Sequence, residues 1–296
     1  MAERSAHTGP DDPRSPGPCC TSTTAGAAGA ATVSDMAAVI ATAFARLPHV
    51  PGASGTPGAP AAPQPAEITR AAQVLLPAIL ALDRLANRLA HDTVRGIGGA
   101  AGPGLAGYIH RRCRIAPADA EASDARGHDR SADDAGAGLR RAARGGWELI
   151  YSTTRVPDAG PAWARGALVA HDLARRTTPS PLGADGPAPS ASPTPTRELT
   201  LAAVDLRAWA RATGDHNLIH LHPGAALRAG MQAGEGDVVA QGLLLGAISL
   251  SLVPAVGAVN LRFTGAVPLP ADGSITLHVD AAGAVSVGAR TVLVRR

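Results

Sequence analysis

An α+β fold, made twice over from an apolar helix and the antiparallel strands that wrap it, is predicted by three features of this 296-residue chain. First, Val238 to Leu261 carries no ionisable side chain, and its run from about Val239 to Val253 reads as a helix that is apolar on nearly every face. Such a helix has to be surrounded, and a curved antiparallel sheet does that. Second, three short strand-like segments follow it: "VNLRFTGAV", "SITLHVD" and "RTVLVRR". Third, a loosely similar helix-then-strands order precedes it, separated by a run from Thr177 to Thr196 that contains six prolines.

These boundaries give four regions: a low-complexity head rich in Pro, Gly, Ala, Ser and Thr over 1–66, a first folded block over 67–176, a linker over 177–196 and a second block over 197–296. The head is expected to be disordered, apart from "SDMAAVIATAFARL", where Ser34 or Asp35 could cap a short helix. The first block opens on "LLPAILALDRLANRLA", whose Leu75, Ile79, Leu82, Leu85 and Leu89 share one helical face. Strands are expected in "LAGYIHRRCRI", "GWELIYSTTRV" and "AWARGALVAHDLA", with a mobile loop over 116–138 between the first two. In the second block, "DLRAWARAT" reads as a helix with Asp205 as its N-cap and Gly214 just beyond its end. A helical turn, "PGAALRAG", and a flexible "MQAGEGD" lead to the long apolar helix.

Composition narrows the function classes. The chain has no lysine, so its formal charge of +3 rests on arginine, and aromatics are only 2%. No aromatic residues interleave with a basic run, as a single-strand nucleic-acid groove requires, and no nucleic-acid partner is expected. Cys19 and Cys20 are adjacent and Cys113 is remote, a pattern without a disulfide framework that fits a cytoplasmic protein. The N-terminus has no apolar core of a signal peptide, and Gln241, two serines, the glycines and Pro254 make the uncharged stretch a buried helix and strand rather than a membrane span.

The densest chemistry lies in "ATGDHNLIHLHP", Ala212 to Pro223. Three readings compete for it. His216, His220 and His222 with Asp215 could hold a metal, but only the first two histidines share a helical face and no distant Cys or His pair completes a site. The segment could instead be a polar loop whose Asp and Asn close turns. Or a carboxylate and an imidazole could converge on one water for acid–base chemistry, an effect on the order of 10²–10⁴-fold in rate.

The stretch "RAWARATGDHNLIHLHPGAALRAG", followed by "VVAQGLLLGA", resembles the MaoC-like, or hydratase 2, group of hot-dog-fold proteins. The resemblance is specific over Arg207 to Gly246 and looser through "VNLRFTGAVPLP". The first block resembles the degenerate N-terminal half of double-hot-dog members, particularly the actinobacterial 3-hydroxyacyl-thioester dehydratases. The resemblance implies a double hot-dog and an (R)-specific 2-enoyl-thioester hydratase or 3-hydroxyacyl-thioester dehydratase. Its substrate would be an acyl-CoA or acyl-carrier-protein thioester, with no metal and no bound cofactor. It would act as a monomer of two hot-dog halves or as a homodimer. Asp215 and His220 would be the catalytic pair that holds the water, Asn217 would help position it, and the Gly242 N–H would face the thioester oxygen.

The chain departs from the family pattern at Leu218, where proline is usual, at His222, where aspartate is, and at Gln241, where histidine is. The gap from His220 to Gly242 is also long, with "GMQAGEGDV" in place of a Gly-aromatic-Pro stretch. These departures keep a second reading open, a non-catalytic thioester-binding or partner subunit. Trp147, Trp163 and Trp209 read as core or interface residues, His110 and His171 as structural, and Arg111, Arg112 and Arg262 as surface side chains, although Arg262 could meet a coenzyme A phosphate.

Overall fold

Two helices laid against one antiparallel sheet carry the architecture. The computed structural model describes residues 31–46, 62–94, 104–117, 137–156, 160–177 and 197–296. The first part comprises α1 (Val33–Ala45), α2 (Pro65–Val94), β1 (Ile109–Ala116), β2 (Ala137–Arg144), β3 (Trp147–Val156) and β4 (Ala167–Arg176). The second comprises β5 (Arg197–Ala202), α3 (Ala203–Thr213), α4 (Leu218–Leu221), α5 (Ala225–Arg228), β6 (Asp237–Val239) and α6 (Gly242–Leu252). It ends with β7 (Val259–Phe263), β8 (Pro268–Pro270), β9 (Ser274–Val279), β10 (Val285–Val287) and β11 (Arg290–Arg295).

Nine strands form one sheet in the order β2-β3-β4-β1-β7-β11-β10-β9-β5, so the two blocks do not keep separate sheets. They fuse where β1 pairs antiparallel with β7, from Arg112 opposite Arg262 to Ile115 opposite Val259. Each half places its own helix on this sheet, α2 for the first and α6 for the second, which is the double hot-dog arrangement. By length and composition α2 is long and apolar enough to cross a bilayer. Here its apolar face is spent on the core instead: Leu75, Ile79, Leu82, Leu85 and Leu89 are all buried. Helix α6 is buried on every side from Leu243 to Ser251. Gly246 permits the close approach, since a Cβ there would lie 2.7 Å from Leu261 Cδ1 and 3.9 Å from Leu75 Cδ1.

Several expectations are corrected. With α2 beginning at Pro65, two residues ahead of the expected block, helix α1 forms where the short helix was expected and buries Met36, Val39, Ile40, Ala43 and Phe44. Its N-cap is Thr32 rather than Ser34 or Asp35, with Oγ1 accepting from the Asp35 N–H at 3.1 Å. Strand β2 begins inside the expected loop and continues through an arginine-rich segment. It is an edge strand, where charge discourages pairing with other chains. Asp205 is not the N-cap of α3 but its third residue, reaching back to accept the Ala202 N–H at 2.9 Å while pairing with Arg46. The apolar helix starts three residues later than expected, because Asp237–Val239 forms β6 and pairs with β8. The rest of the head, most of the 116–138 loop and nearly all of the linker lie outside the described residues.

Candidate active site

The site is assembled where α3 stops. Gly214 adopts a left-handed conformation, φ 75°, and its N–H bonds to the Ala210 carbonyl at 2.9 Å, closing the helix as the Gly suggested. The chain then turns through Asp215 and His216 into the single turn of α4, whose N-cap is Asn217. This loop-then-helix geometry brings Asp215 and His220 face to face, with Asp215 Oδ2 3.8 Å from His220 Nε2. The other Asp215 oxygen, Oδ1, accepts from the Asn217 N–H at 3.4 Å, which holds Oδ2 toward the imidazole.

The orientation of His220 is set from its far side. Nδ1 lies 2.7 Å from the Val239 carbonyl, an oxygen that can only accept, so Nδ1 carries the proton in this bond. In the neutral ring Nε2 is then an acceptor, like Asp215 Oδ2. Two acceptors this close can share the two hydrogens of one water. Val239 belongs to β6, so this short strand supplies the carbonyl that fixes the tautomer.

Asn217 also reaches across to the first half of the chain. Its Nδ2 donates to the Tyr108 carbonyl at 2.8 Å and its Oδ1 accepts from the Gly107 N–H at 3.2 Å. Both ends of the amide bond main chain of the first half, with Oδ1 also accepting from the Ile219 N–H, so Asn217 ties the Asp215–His220 loop to that half. Gly242 is the first residue of α6, at the positive end of the helix dipole. A Cβ there would sit 3.1–3.2 Å from ring atoms of Phe263, so a side chain is already crowded out. Asp215, Asn217, His220 and Gly242 line one cavity of about 450 Å³. His216 and His222 are exposed while His220 is buried, so the three histidines do not converge.

Residues 185–293 match the family model for the MaoC like domain. This part of the chain is a MaoC-like domain. Two structures of HtdX from Mycobacterium tuberculosis are similar: one at 17% identity over 90% of this chain and 95% of that one, with a TM-score of 0.46. The other is at 18% identity over 79% and 94%, with a TM-score of 0.41. Peroxisomal multifunctional enzyme type 2 from Drosophila melanogaster is similar at 17% identity over 68% of this chain and 38% of that chain, with a TM-score of 0.37. No curated protein matches the sequence.

Neither Leu218 nor Gln241 lines the first cavity, although Leu218 lines the second and Gln241 is the residue before Gly242. Leu218 is exposed, and Gln241 is buried with its Nε2 donating to the Leu206 carbonyl at 2.9 Å. What the sequence did not reveal is the share taken by the first half. Leu82, Leu105, Tyr108 and His110 line the same cavity, and the exposed Arg111 and Arg262 stand at its solvent side. A second cavity of about 420 Å³, lined by Ile79, Leu82, Trp209, Leu218 and Leu243 among others, also reaches Asp215 and Asn217. Trp209 is core as expected, whereas Trp147 lines the first cavity under the Arg176 guanidinium, 4.8 Å from its ring centroid. Cys113 is buried, and burial pushes its thiol up to about 12, which removes it as a nucleophile.

Proposed function

We propose that the protein is an (R)-specific 2-enoyl-thioester hydratase and 3-hydroxyacyl-thioester dehydratase. The observation that carries this reading is the pairing of Asp215 Oδ2 and His220 Nε2 at 3.8 Å in a cavity that also holds the N-terminus of α6. In the hydration direction one water donates a hydrogen to each acceptor. Asp215 takes one proton as the water oxygen bonds to C3, and His220 keeps the water oriented. The C2=C3 electron pair moves toward the thioester, and negative charge develops on its oxygen.

The Gly242 N–H, at the start of a buried helix, is the donor that meets this charge. The proton held on the Asp215 carboxyl then passes to C2, so the elements of water are added and Asp215 returns to its starting form. Dehydration runs the same steps backwards. The second cavity, with its Leu, Ile and Trp lining, suits the acyl chain, and the arginines at the solvent side of the first suit the phosphates of coenzyme A or a carrier arm. Because both halves line the first cavity, one chain supplies a complete site.

The test is hydration of crotonyl-CoA, followed by loss of enoyl absorbance and chiral analysis of the product. The (R) alcohol is expected. Tight acyl-CoA binding without turnover would instead assign the chain to the non-catalytic class.

A further inference from the structure

The first half places a second imidazole in the cavity, and its hydrogen-bond polarity can be read off in sequence. His171 Nε2 lies 3.0 Å from the Ala78 carbonyl of α2, so Nε2 carries the proton and Nδ1 is left as an acceptor. His110 Nε2 lies 3.1 Å from that Nδ1, so His110 must donate through Nε2. Its own Nδ1 is thereby left without a proton. Among the described residues no hydrogen bond engages it, although His110 lines the cavity that holds Asp215, His220 and Gly242.

Two further features support a functional placement. The register between β1 and β4 shifts between His110, opposite Leu173, and Arg112, opposite Asp172, and such bulges re-aim side chains beside active sites. The His110 ring also packs 5.7 Å, centroid to centroid, from Phe263, the ring that covers Gly242. Burial holds both histidines below the ordinary range, His171 at about 4, so the pair adds an acceptor to the cavity without adding charge.

We infer that His110 is a substrate-binding residue whose Nδ1 accepts a hydrogen bond from an N–H or O–H group of the bound thioester, with His171 as the positioning residue that fixes its tautomer. The inference rests on the thioester reading of the site. Two groups offer this donor: the amide N–H of the thiol arm, common to every such substrate, and the 3-hydroxyl, present only on the hydroxyacyl form.

The test uses the full chain with Asp215→Asn, so that bound ligands are not converted, with and without His110→Phe. Affinities are measured by calorimetry for butyryl-CoA and (R)-3-hydroxybutyryl-CoA. Removing the acceptor is expected to weaken binding about tenfold, the worth of one hydrogen bond. An equal loss for both ligands identifies the amide, and a loss confined to the hydroxyacyl ligand identifies the hydroxyl. A second measurement avoids dependence on how the Phe variant folds: the His110 Nδ1 nitrogen resonance of the ¹⁵N-labelled His110-containing chain is followed through both titrations, and it is expected to shift. Unchanged affinities, or an Nδ1 resonance that stays fixed at saturation by both ligands, would overturn the inference while leaving the thioester reading in place. Failure of the wild-type chain to bind either ligand would remove both.

Discussion

His220 Nδ1 and the Val239 carbonyl are 2.7 Å apart, and this bond presents the other ring nitrogen to Asp215. In the neutral ring Nε2 is then an acceptor like Asp215 Oδ2, and in the proposed mechanism the carboxylate takes the proton while the imidazole orients the water. The two residues are therefore unequal. Asp215→Asn is expected to lower kcat by about 10³–10⁴, since it removes both base and acid, and His220→Ala by about 10², since it removes orientation. Steady-state kinetics on crotonyl-CoA measure both, and equal losses would contradict the division of roles.

Asn217 spans the two halves of the chain through Gly107 and Tyr108. Asn217→Ala leaves a main-chain donor and acceptor without partners, at a cost of about 1–3 kcal/mol. Urea denaturation is expected to show that loss, with kcat falling more than KM rises because the loop that carries Asp215 and His220 loses its tether.

Gly242→Ala places a methyl 3.1 Å from the Phe263 ring, tighter than ordinary contact. Displacing the start of α6 moves the N–H proposed as the oxyanion donor, and a shift of well under 1 Å is expected to cost about tenfold or more in kcat. Adding Phe263→Leu, which opens space beside the methyl, is expected to restore most of the rate. A double variant no better than the single one would locate the damage elsewhere.

Acid is expected to destabilise the fold through its buried histidines. His171 titrates near 6.5 in an unfolded chain but is pushed down to about 4 by burial, so the unfolded state binds the extra proton between these values. The stability it contributes is complete above pH 6.5 and is lost as pH falls toward 4, by up to about 3 kcal/mol from this residue. Burial lowers His110 in the same direction. Urea midpoints from pH 7 to pH 4 check the trend, and a His171→Gln variant is expected to give a flatter profile.

The parts legible in the sequence were those carried by side-chain pattern. The apolar face from Leu75 to Leu89 and the wholly apolar α6 marked the two central helices, and the spacing of Asp215 and His220 marked a pair that could converge. The rest is carried by main chain or by distant contact. Strands β6 and β8 are three residues each, too short for alternation to register, yet β6 supplies the carbonyl that orients His220. Asn217 offers no local sign that its partners lie in the other half. The arginines of β2 obscured an edge strand, and the low-complexity surroundings of the expected helix α1 obscured that its Met36 and Ile40 are fully buried in the core. His110 read as structural because its approach to the cavity depends on the fusion of two sheets at β1 and β7 and on a one-residue bulge.

The most direct test of the proposed chemistry is stereochemical: incubate the full chain and its Asp215→Asn variant with crotonyl-CoA and resolve the product enantiomers. The account predicts (R)-3-hydroxybutyryl-CoA from the wild-type chain and a loss of about 10³-fold or more from the variant. The (S) product, or equal rates from both proteins, would contradict it.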